Sequence, residues 1–212
     1  MPDDSPANAA GAIAHALARL AAELSPELTY HNLGHTQADV IPGVARLARL
    51  SEIAEANVRL LEVAAAYHDI GFIYVRVEHE QVSVRIASET LPAYGFSPQQ
   101  IERIAGMIRA TRLPQSPHYP LEEILADADL DVLGRDDFFE RNEQLRLEFN
   151  TVNRPLDQPQ WWSAQIRFLQ GHTYFTPAAR ALREAAKQRH IVILEQWLRV
   201  AGAAAAQVTR PA

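Results

Sequence analysis

The sequence predicts an all-α protein of about eight to ten helices. Alanine-rich segments with apolar residues three and four positions apart recur along the 212 residues. No segment shows the sustained alternation of a half-buried strand. Since the chain contains no repeat, linker or low-complexity block, we expect a single domain over 1–212, with a core at about 28–150 and C-terminal helices at 157–200 packed on it.

Proline, glycine and capping residues mark the predicted helix ends. Ser97-Pro98-Gln99-Gln100 places Ser at a cap, Pro in the first turn and Gln where it completes a capping box. Pro42 and Gly43 are expected to bend the second helix, and the three prolines of 111–120 predict a loop. The apolar run 72–75 is compatible with a short strand, although it has no evident partner. The predicted helices, in order, cover about 7–24, 31–50, 54–67, 79–91, 98–110, 121–133, 136–149, 158–169 and 177–200.

Composition restricts the chemistry. The 20 Lys and Arg against 26 Asp and Glu give a net charge of −6 without a basic stripe, so no nucleic-acid polymer is expected as a partner. The absence of cysteine excludes thiolate nucleophiles, iron–sulfur clusters and Cys-rich zinc sites. No stretch reaches the roughly 18 apolar residues of a membrane span, and the acidic start is unlike a signal peptide. We therefore expect a cytoplasmic protein without a membrane partner, in which any metal is held by imidazole, carboxylate or carbonyl groups.

Three polar clusters interrupt the apolar helical pattern: His31 and His35 within Tyr30–His35, the pair His68-Asp69, and the acids Asp127, Asp129 and Asp131. Each alone has a structural explanation as half-buried, capping or solvated side chains. A buried carboxylate, however, requires a partner, and crowded acids raise one another's pKa unless a cation compensates. Taking one histidine from the first cluster, the His-Asp pair and one aspartate from the third gives the ordered set His, His-Asp, Asp, which is two imidazoles and two carboxylates. Such a set suits a divalent ion with positions open for water and substrate.

The order His…His-Asp…Asp resembles the HD-domain superfamily of metal-dependent phosphohydrolases. The stretch Tyr30-His31-Asn32-x-x-His35, followed by Asp39-Val40, is also similar to the opening motif of cyclic-nucleotide phosphodiesterases. A closer resemblance, to an uncharacterised bacterial family of predicted HD hydrolases, extends from His31 to Phe139 and more weakly into the final helix. It is carried by Tyr67–Phe72, His79-Glu80-x-x-Ser83, Ala110–Pro117 and Asp127–Arg135.

The resemblance implies a divalent ion (Mn, Mg, Fe, Co, Ni or Zn) and assigns roles to particular residues. The implied metal ligands are His35, His68, Asp69 and Asp129. We prefer Asp129 to Asp127 as the last ligand, and Asp127 is then the acid that orients a histidine. Asp69 is expected to accept a proton and His31 to protonate the leaving group. Residues that could contact the substrate are His79, Arg112 and Arg135, with packing or salt bridges as their alternatives.

The expected activity is hydrolysis of a small phosphate ester, a nucleotide or cyclic nucleotide, through a metal-activated water. One alternative is a mixed-valence diiron oxygenase on the same helical core, for which only His79 and His118 are available as additional ligands. Another is a sensing module that binds a nucleotide without turnover. Trp161-Trp162, at the start of an amphipathic helix, is interpreted as core or as a dimer contact, so a homodimer is left open.

Overall fold

A computed structural model describes residues 7–208 of the chain. Within that range the chain forms nine α-helices and no strand, which confirms the predicted all-α class. The helices are α1 (Ala9–Glu23), α2 (Ile41–Leu50), α3 (Glu55–Tyr67), α4 (His79–Thr90), α5 (Pro98–Ala110), α6 (Pro120–Asp129), α7 (Phe138–Val152), α8 (Gln158–Gly171) and α9 (Pro177–Val208). None of these described helices is long and apolar enough to cross a membrane.

Short helical turns connect several of these helices. A π-helical turn, His35–Val40, leads directly into α2, and 3-10 turns cover Ile70–Ile73, Leu91–Tyr94 and Asp131–Gly134. The segment predicted as one helix over 31–50 is therefore divided, and Pro42 lies in the first turn of α2, where its missing N–H costs no helical hydrogen bond. The suggested strand at 72–75 is wrong. Its first two residues continue the 3-10 turn, and strand geometry without a partner would leave its backbone groups unpaired.

The chain divides into two compact units, 1–131 and 132–212. The first contains α1 to α6, and the second contains α7 to α9. The expectation of one domain over the whole chain stays a prediction.

Helix α3 is the centre of the first unit, where it packs against α1, α2, α5 and α6. Its C-terminal half is buried except at the partly exposed Glu62, and the buried residues are Leu60, Leu61, Val63, Ala64, Ala65, Ala66 and Tyr67. A helix that is apolar all round belongs in a core, and its alanines allow neighbouring helices to approach closely. The residues that follow Tyr67 consequently lie in the interior of the unit.

The predicted start of α5 is confirmed by its hydrogen bonds. The Gln100 N–H donates to Ser97 Oγ at 3.3 Å, and the Ser97 N–H donates to Gln100 Oε1 at 2.9 Å. This reciprocal capping satisfies two backbone donors that the helix itself cannot pair. From this start α5 runs between α4 and α6, both of which it contacts.

The second unit is built around the packing of α8 against α9. Trp161 is buried and is a core residue, as one of the two interpretations of Trp161-Trp162 predicts. Its Nε1–H donates to Asn142 Oδ1 at 2.7 Å, and Asn142 Nδ2 donates to Gln165 Oε1 at 2.7 Å. These hydrogen bonds link α7 to α8, and they give the buried polar side chains of the network their partners.

Candidate metal centre

His35 reaches the centre of the first unit from the π-helical turn. Its imidazole is buried, and its backbone N–H donates to Asn32 Oδ1 at 3.2 Å. The Nε2 atom lies 3.1 Å from Asp129 Oδ1 and 3.7 Å from Asp69 Oδ2. The other ring nitrogen, Nδ1, lies 4.0 Å from Asp39 Oδ2. The ring therefore directs one nitrogen at the two carboxylates of the cluster and the other towards a third carboxylate on its own turn.

His68 and Asp69 follow the buried end of α3 directly. The fully buried His68 imidazole donates from Nδ1 to the Ala65 carbonyl oxygen at 2.7 Å, which assigns the ring proton to Nδ1 and leaves Nε2 as an acceptor. That Nε2 lies 3.2 Å from Asp69 Oδ2 and 3.4 Å from Asp129 Oδ1. Unless a proton or a cation occupies Nε2, this nitrogen faces two carboxylate oxygens with no positive charge between them.

The three acids of the third cluster have different surroundings. Asp129, the last residue of α6, directs its carboxylate at His35 and His68. Asp127 is completely buried, and Asp131 forms an ion pair with Arg46 at 2.8 Å. Of the two candidates for the last ligand, the structure brings Asp129 to the histidines.

The side chains present fit a divalent ion. His35, His68 and Asp129 each offer one ligand atom, and these atoms lie within 4.8 Å of one another. His68 Nε2 and Asp69 Oδ2 are buried without a hydrogen-bond partner. Ligand atoms about 2.1 Å from a shared ion lie about 3.0–3.4 Å apart, which is close to the spacings found here. Acceptors crowded in this way need a positive charge between them.

Comparison of the sequence with known protein families identifies the family of this chain. The sequence profile of the HD domain matches residues 12–131, which is more than half of the chain. The chain belongs to the HD domain family. The matched range begins earlier than the predicted resemblance, since it includes most of α1, and it ends at the boundary of the first unit.

The fold of the chain is also similar to that of a solved structure. The crystal structure of a predicted HD superfamily hydrolase from an uncultured Thermotogales bacterium superposes with a TM-score of 0.58. The two sequences are 19% identical, and the match covers 91% of each chain. No curated protein matches the sequence.

His35, His68, Asp69 and Asp129 form a cluster that we call the HD centre. Its electrostatics favour the binding of positive charge. Burial by itself would lower the pKa of His68, but the carboxylates of Asp69 and Asp129 outweigh it and hold that pKa well above its usual value. Burial would likewise raise the pKa of Asp129, yet the imidazoles of His35 and His68 hold it below its usual value. A proton or a metal ion held in this place would offset the negative charge of the two carboxylates.

Two further histidines, His31 and His79, lie next to the HD centre, and both contact Phe72. His79, the first residue of α4, places Nε2 at 3.3 Å from Asp69 Oδ1 and 3.6 Å from Glu80 Oε1. Its ring stacks on Phe72 with centroids 3.8 Å apart, and the His31 ring stacks on the same phenyl at 4.5 Å. His31 lies in the bend before the π-helical turn, outside the helix in which it was predicted.

Sequence reasoning assigned no role to Phe72 or to Glu80. Both lie inside motifs that carry the family resemblance, and that position was the only signal. Phe72 holds two histidine rings of the site, and Glu80 is a buried carboxylate beside one of them.

The two predicted substrate arginines lie in different units. Arg112 follows α5 in the first unit and is ion-paired with Glu78 at 2.8 Å. Arg135 belongs to the second unit, where its Nε–H donates to Asp137 Oδ1 at 2.9 Å. Contact with substrate stays a prediction for both.

Proposed function

We propose that this HD domain protein is a metal-dependent phosphoric ester hydrolase that acts on a nucleotide or cyclic nucleotide. The observation that carries the proposal is the buried, unpartnered pair of acceptors, His68 Nε2 and Asp69 Oδ2. His35 Nε2 and Asp129 Oδ1 face the same point. These four residues would hold the ion, and membership of the HD domain family supports the proposal.

The residues around the centre have positions suited to proton transfer. When bound, a divalent ion supplies a water of lowered pKa and offsets negative charge on phosphoryl oxygens. Asp69 directs Oδ2 at the cluster and Oδ1 at His79, so Oδ2 would bind the ion while Oδ1, held in place by His79, would accept a proton. His31, stacked on Phe72 with its ring 5.9 Å from that of His35, would donate a proton to the leaving oxygen.

The substrate class rests on two further observations. The similarity of Tyr30–Val40 to the opening motif of cyclic-nucleotide phosphodiesterases favours a nucleotide or cyclic nucleotide. The net charge of −6 favours a small substrate over a nucleic-acid polymer. We further propose a cytoplasmic location and leave a homodimer open.

A panel of phosphate esters tests the proposed function. Nucleoside monophosphates, deoxynucleoside triphosphates, cyclic nucleotides and bis-p-nitrophenyl phosphate would be offered with Mg, Mn, Fe, Co, Ni or Zn. Elemental analysis of the purified protein would accompany the panel. We expect phosphate ester cleavage that requires the metal, and a fall of at least about a hundredfold in His68→Ala and Asp69→Ala.

The matched control is His15→Ala, because His15 lies on α1, its ring centroid is 5.9 Å from that of Tyr94, and it is not among the clustered ligands. Full metal occupancy in His68→Ala would contradict the proposed ligand set. Iron-dependent oxygen uptake without ester cleavage would indicate the diiron oxygenase. Nucleotide binding without turnover would indicate a sensing module.

A further inference from the structure

A groove of about 560 Å³ lies in the first unit beside the HD centre. It is lined by residues of α4, α5, the start of α6 and the loop between α5 and α6. Its volume is within the range of about 300–1,000 Å³ that is typical of small-molecule sites. The proposed mechanism uses none of the basic residues that line it.

Glu80 connects the groove to the HD centre. Its side chain lines the groove and is nevertheless buried, so it lies at the inner end. Glu80 Oε1 is 3.6 Å from His79 Nε2, which is 3.3 Å from Asp69 Oδ1. One histidine side chain therefore separates the Glu80 carboxylate of the groove from the Asp69 carboxylate of the centre.

Two arginine side chains line the outer part of the groove. Arg109 and Arg112 line it, and each guanidinium is about half exposed in an ion pair, with Glu102 at 2.9 Å and with Glu78 at 2.8 Å. Exposed pairs of this kind contribute little to stability, so either guanidinium can turn towards a stronger anion. His118 lines the groove as well.

The two acids of the groove have partners of their own. Glu122 Oε2 accepts the His118 backbone N–H at 2.8 Å, and Glu80 faces His79. Guanidinium groups bind phosphate through paired hydrogen bonds, and two of them along one wall suit a multiply charged anion.

We infer that this groove binds a second phosphate group of the substrate, so that the enzyme selects phosphate esters that carry two or more phosphates. The inference rests on the proposed function and deepens it. One phosphate is placed at the centre for cleavage, and Arg109 and Arg112 hold another at the outer end of the groove.

The decisive measurement is titration calorimetry of metal-free protein with tripolyphosphate and with inorganic phosphate as probes. Metal-free protein is used because polyphosphates chelate divalent ions. We expect tripolyphosphate to bind wild-type protein at least about tenfold more tightly than phosphate. Arg109→Gln and Arg112→Gln should each weaken tripolyphosphate binding about tenfold, because each removes a charge-assisted contact.

The matched control is Arg103→Gln. Arg103 is an exposed arginine of the same helix that donates to Asn57 Oδ1 at 2.9 Å and does not line the groove. We expect it to bind tripolyphosphate within about twofold of wild type. Melting curves of all three variants should match, since each changes an exposed side chain.

Tripolyphosphate binding that is equal in wild type and in both groove variants would overturn the inference. So would an equal loss in Arg103→Gln, because the effect would then be one of overall charge. If the titrations succeed and the ester panel shows no cleavage in wild type, the groove is an anion site and the proposed hydrolase activity fails. If esters are cleaved and the groove variants bind tripolyphosphate unchanged, the hydrolase stands and the groove inference fails.

Discussion

At the scale of single residues, His68 organises the centre because its two ring nitrogens have opposite surroundings. Nδ1 donates to a backbone carbonyl of the preceding turn of α3, which fixes the tautomer and the ring orientation. Nε2 is left facing the carboxylate oxygens of Asp69 and Asp129. Three acceptors this close together repel one another unless a proton or a cation lies between them.

A consequence is that metal and proton compete at His68. The pKa of His68 is held well above its usual value by the two carboxylates, which favours a second ring proton, on Nε2, in the metal-free protein. Binding a metal to Nε2 requires its loss, and metal affinity should therefore rise with pH. We expect release of about one proton per ion at pH 7. The number of protons released is measured by metal titration calorimetry in two buffers, Pipes and Mops, which differ in ionisation enthalpy. Identical apparent enthalpies of metal binding in the two buffers would contradict the prediction.

A second prediction separates Asp129 from Asp127. Asp129→Asn should reduce metal affinity at least about a hundredfold, because the carboxylate nearest both histidines is neutralised. Asp127→Asn should keep the metal and lower the free energy of unfolding by about 1–3 kcal/mol, because Asp127 is completely buried. Metal titration and urea unfolding of the metal-free variants measure the two effects. The reverse pattern would make Asp127 the ligand.

The cluster of metal-ligand candidates could be predicted from the sequence because the residue types that bind metal ions, and their order along the chain, are visible there. His35, His68 and Asp129 were predicted together, and they come together in the structure. The stacking of His31 and His79 on Phe72 could not be predicted. It depends on a turn that places one phenyl ring between the bend at His31 and the start of α4, and no local sequence pattern indicates such an arrangement.

At the scale of elements, the turn after α3 decides how the site is assembled. The helices themselves followed from apolar spacing, and their ends followed from caps and prolines. The turn was ambiguous, since Phe72–Val75 is apolar and too short for periodicity to distinguish a strand from a turn. The structure resolves it as a tight 3-10 turn that lies against the start of α4.

Gly71 is the residue that makes this close packing feasible. A Cβ atom added there would lie 2.0 Å from the backbone oxygen of His79 and 2.9 Å from Ser83 Oγ. Because a backbone atom cannot move aside cheaply, Gly71→Ala should displace the start of α4 and with it His79. We expect a loss of about 2–4 kcal/mol in the free energy of unfolding, together with weaker metal binding.

Gly171→Ala is the matched control for this substitution. No atom lies within 4 Å of a Cβ added at Gly171, so the same change at the end of α8 should leave stability and metal binding nearly unchanged. Urea unfolding and metal titration compare the two variants. Equal effects would show that the contact between the turn and α4 is not the cause.

At the scale of the whole molecule, the chain consists of two units with different chemistry. The HD domain match and all the candidate ligands lie within 12–131, and the first unit ends at the same residue. No feature of the sequence marks this boundary. It falls at the 3-10 turn Asp131–Gly134, where the composition does not change as it would in a linker.

The second unit carries a buried cluster of its own around Lys187. This side chain is almost completely buried, and its Nζ donates to the His172 carbonyl oxygen at 2.6 Å and forms an ion pair with Glu184 at 3.1 Å. Nζ also lies 3.4 Å from His172 Nδ1. Burial, reinforced by the charge of Lys187, lowers the pKa of His172 to about 4.

This depressed pKa predicts how the second unit responds to acid. His172 gains its proton near pH 6.5 in the unfolded chain and near pH 4 in the folded one, so the unfolded state binds more protons between these values. The stabilising contribution is complete above pH 6.5 and is lost as the pH falls towards 4. Since His172 is partly exposed, we expect a loss of about 1–2 kcal/mol. In His172→Asn, whose side-chain oxygen can still accept from Lys187, that loss should disappear.

Tryptophan fluorescence is suited to this measurement because all three tryptophans, Trp161, Trp162 and Trp197, lie in the second unit. Urea unfolding of metal-free protein at pH 7, 6, 5 and 4.5 would be compared among wild type, His172→Asn and His118→Asn. His118 is exposed, so its variant should keep the wild-type dependence on pH. The difference between wild type and His172→Asn cancels the carboxylates that titrate in the same range. Parallel pH profiles for those two proteins would show that His172 is not the group through which acid weakens this unit.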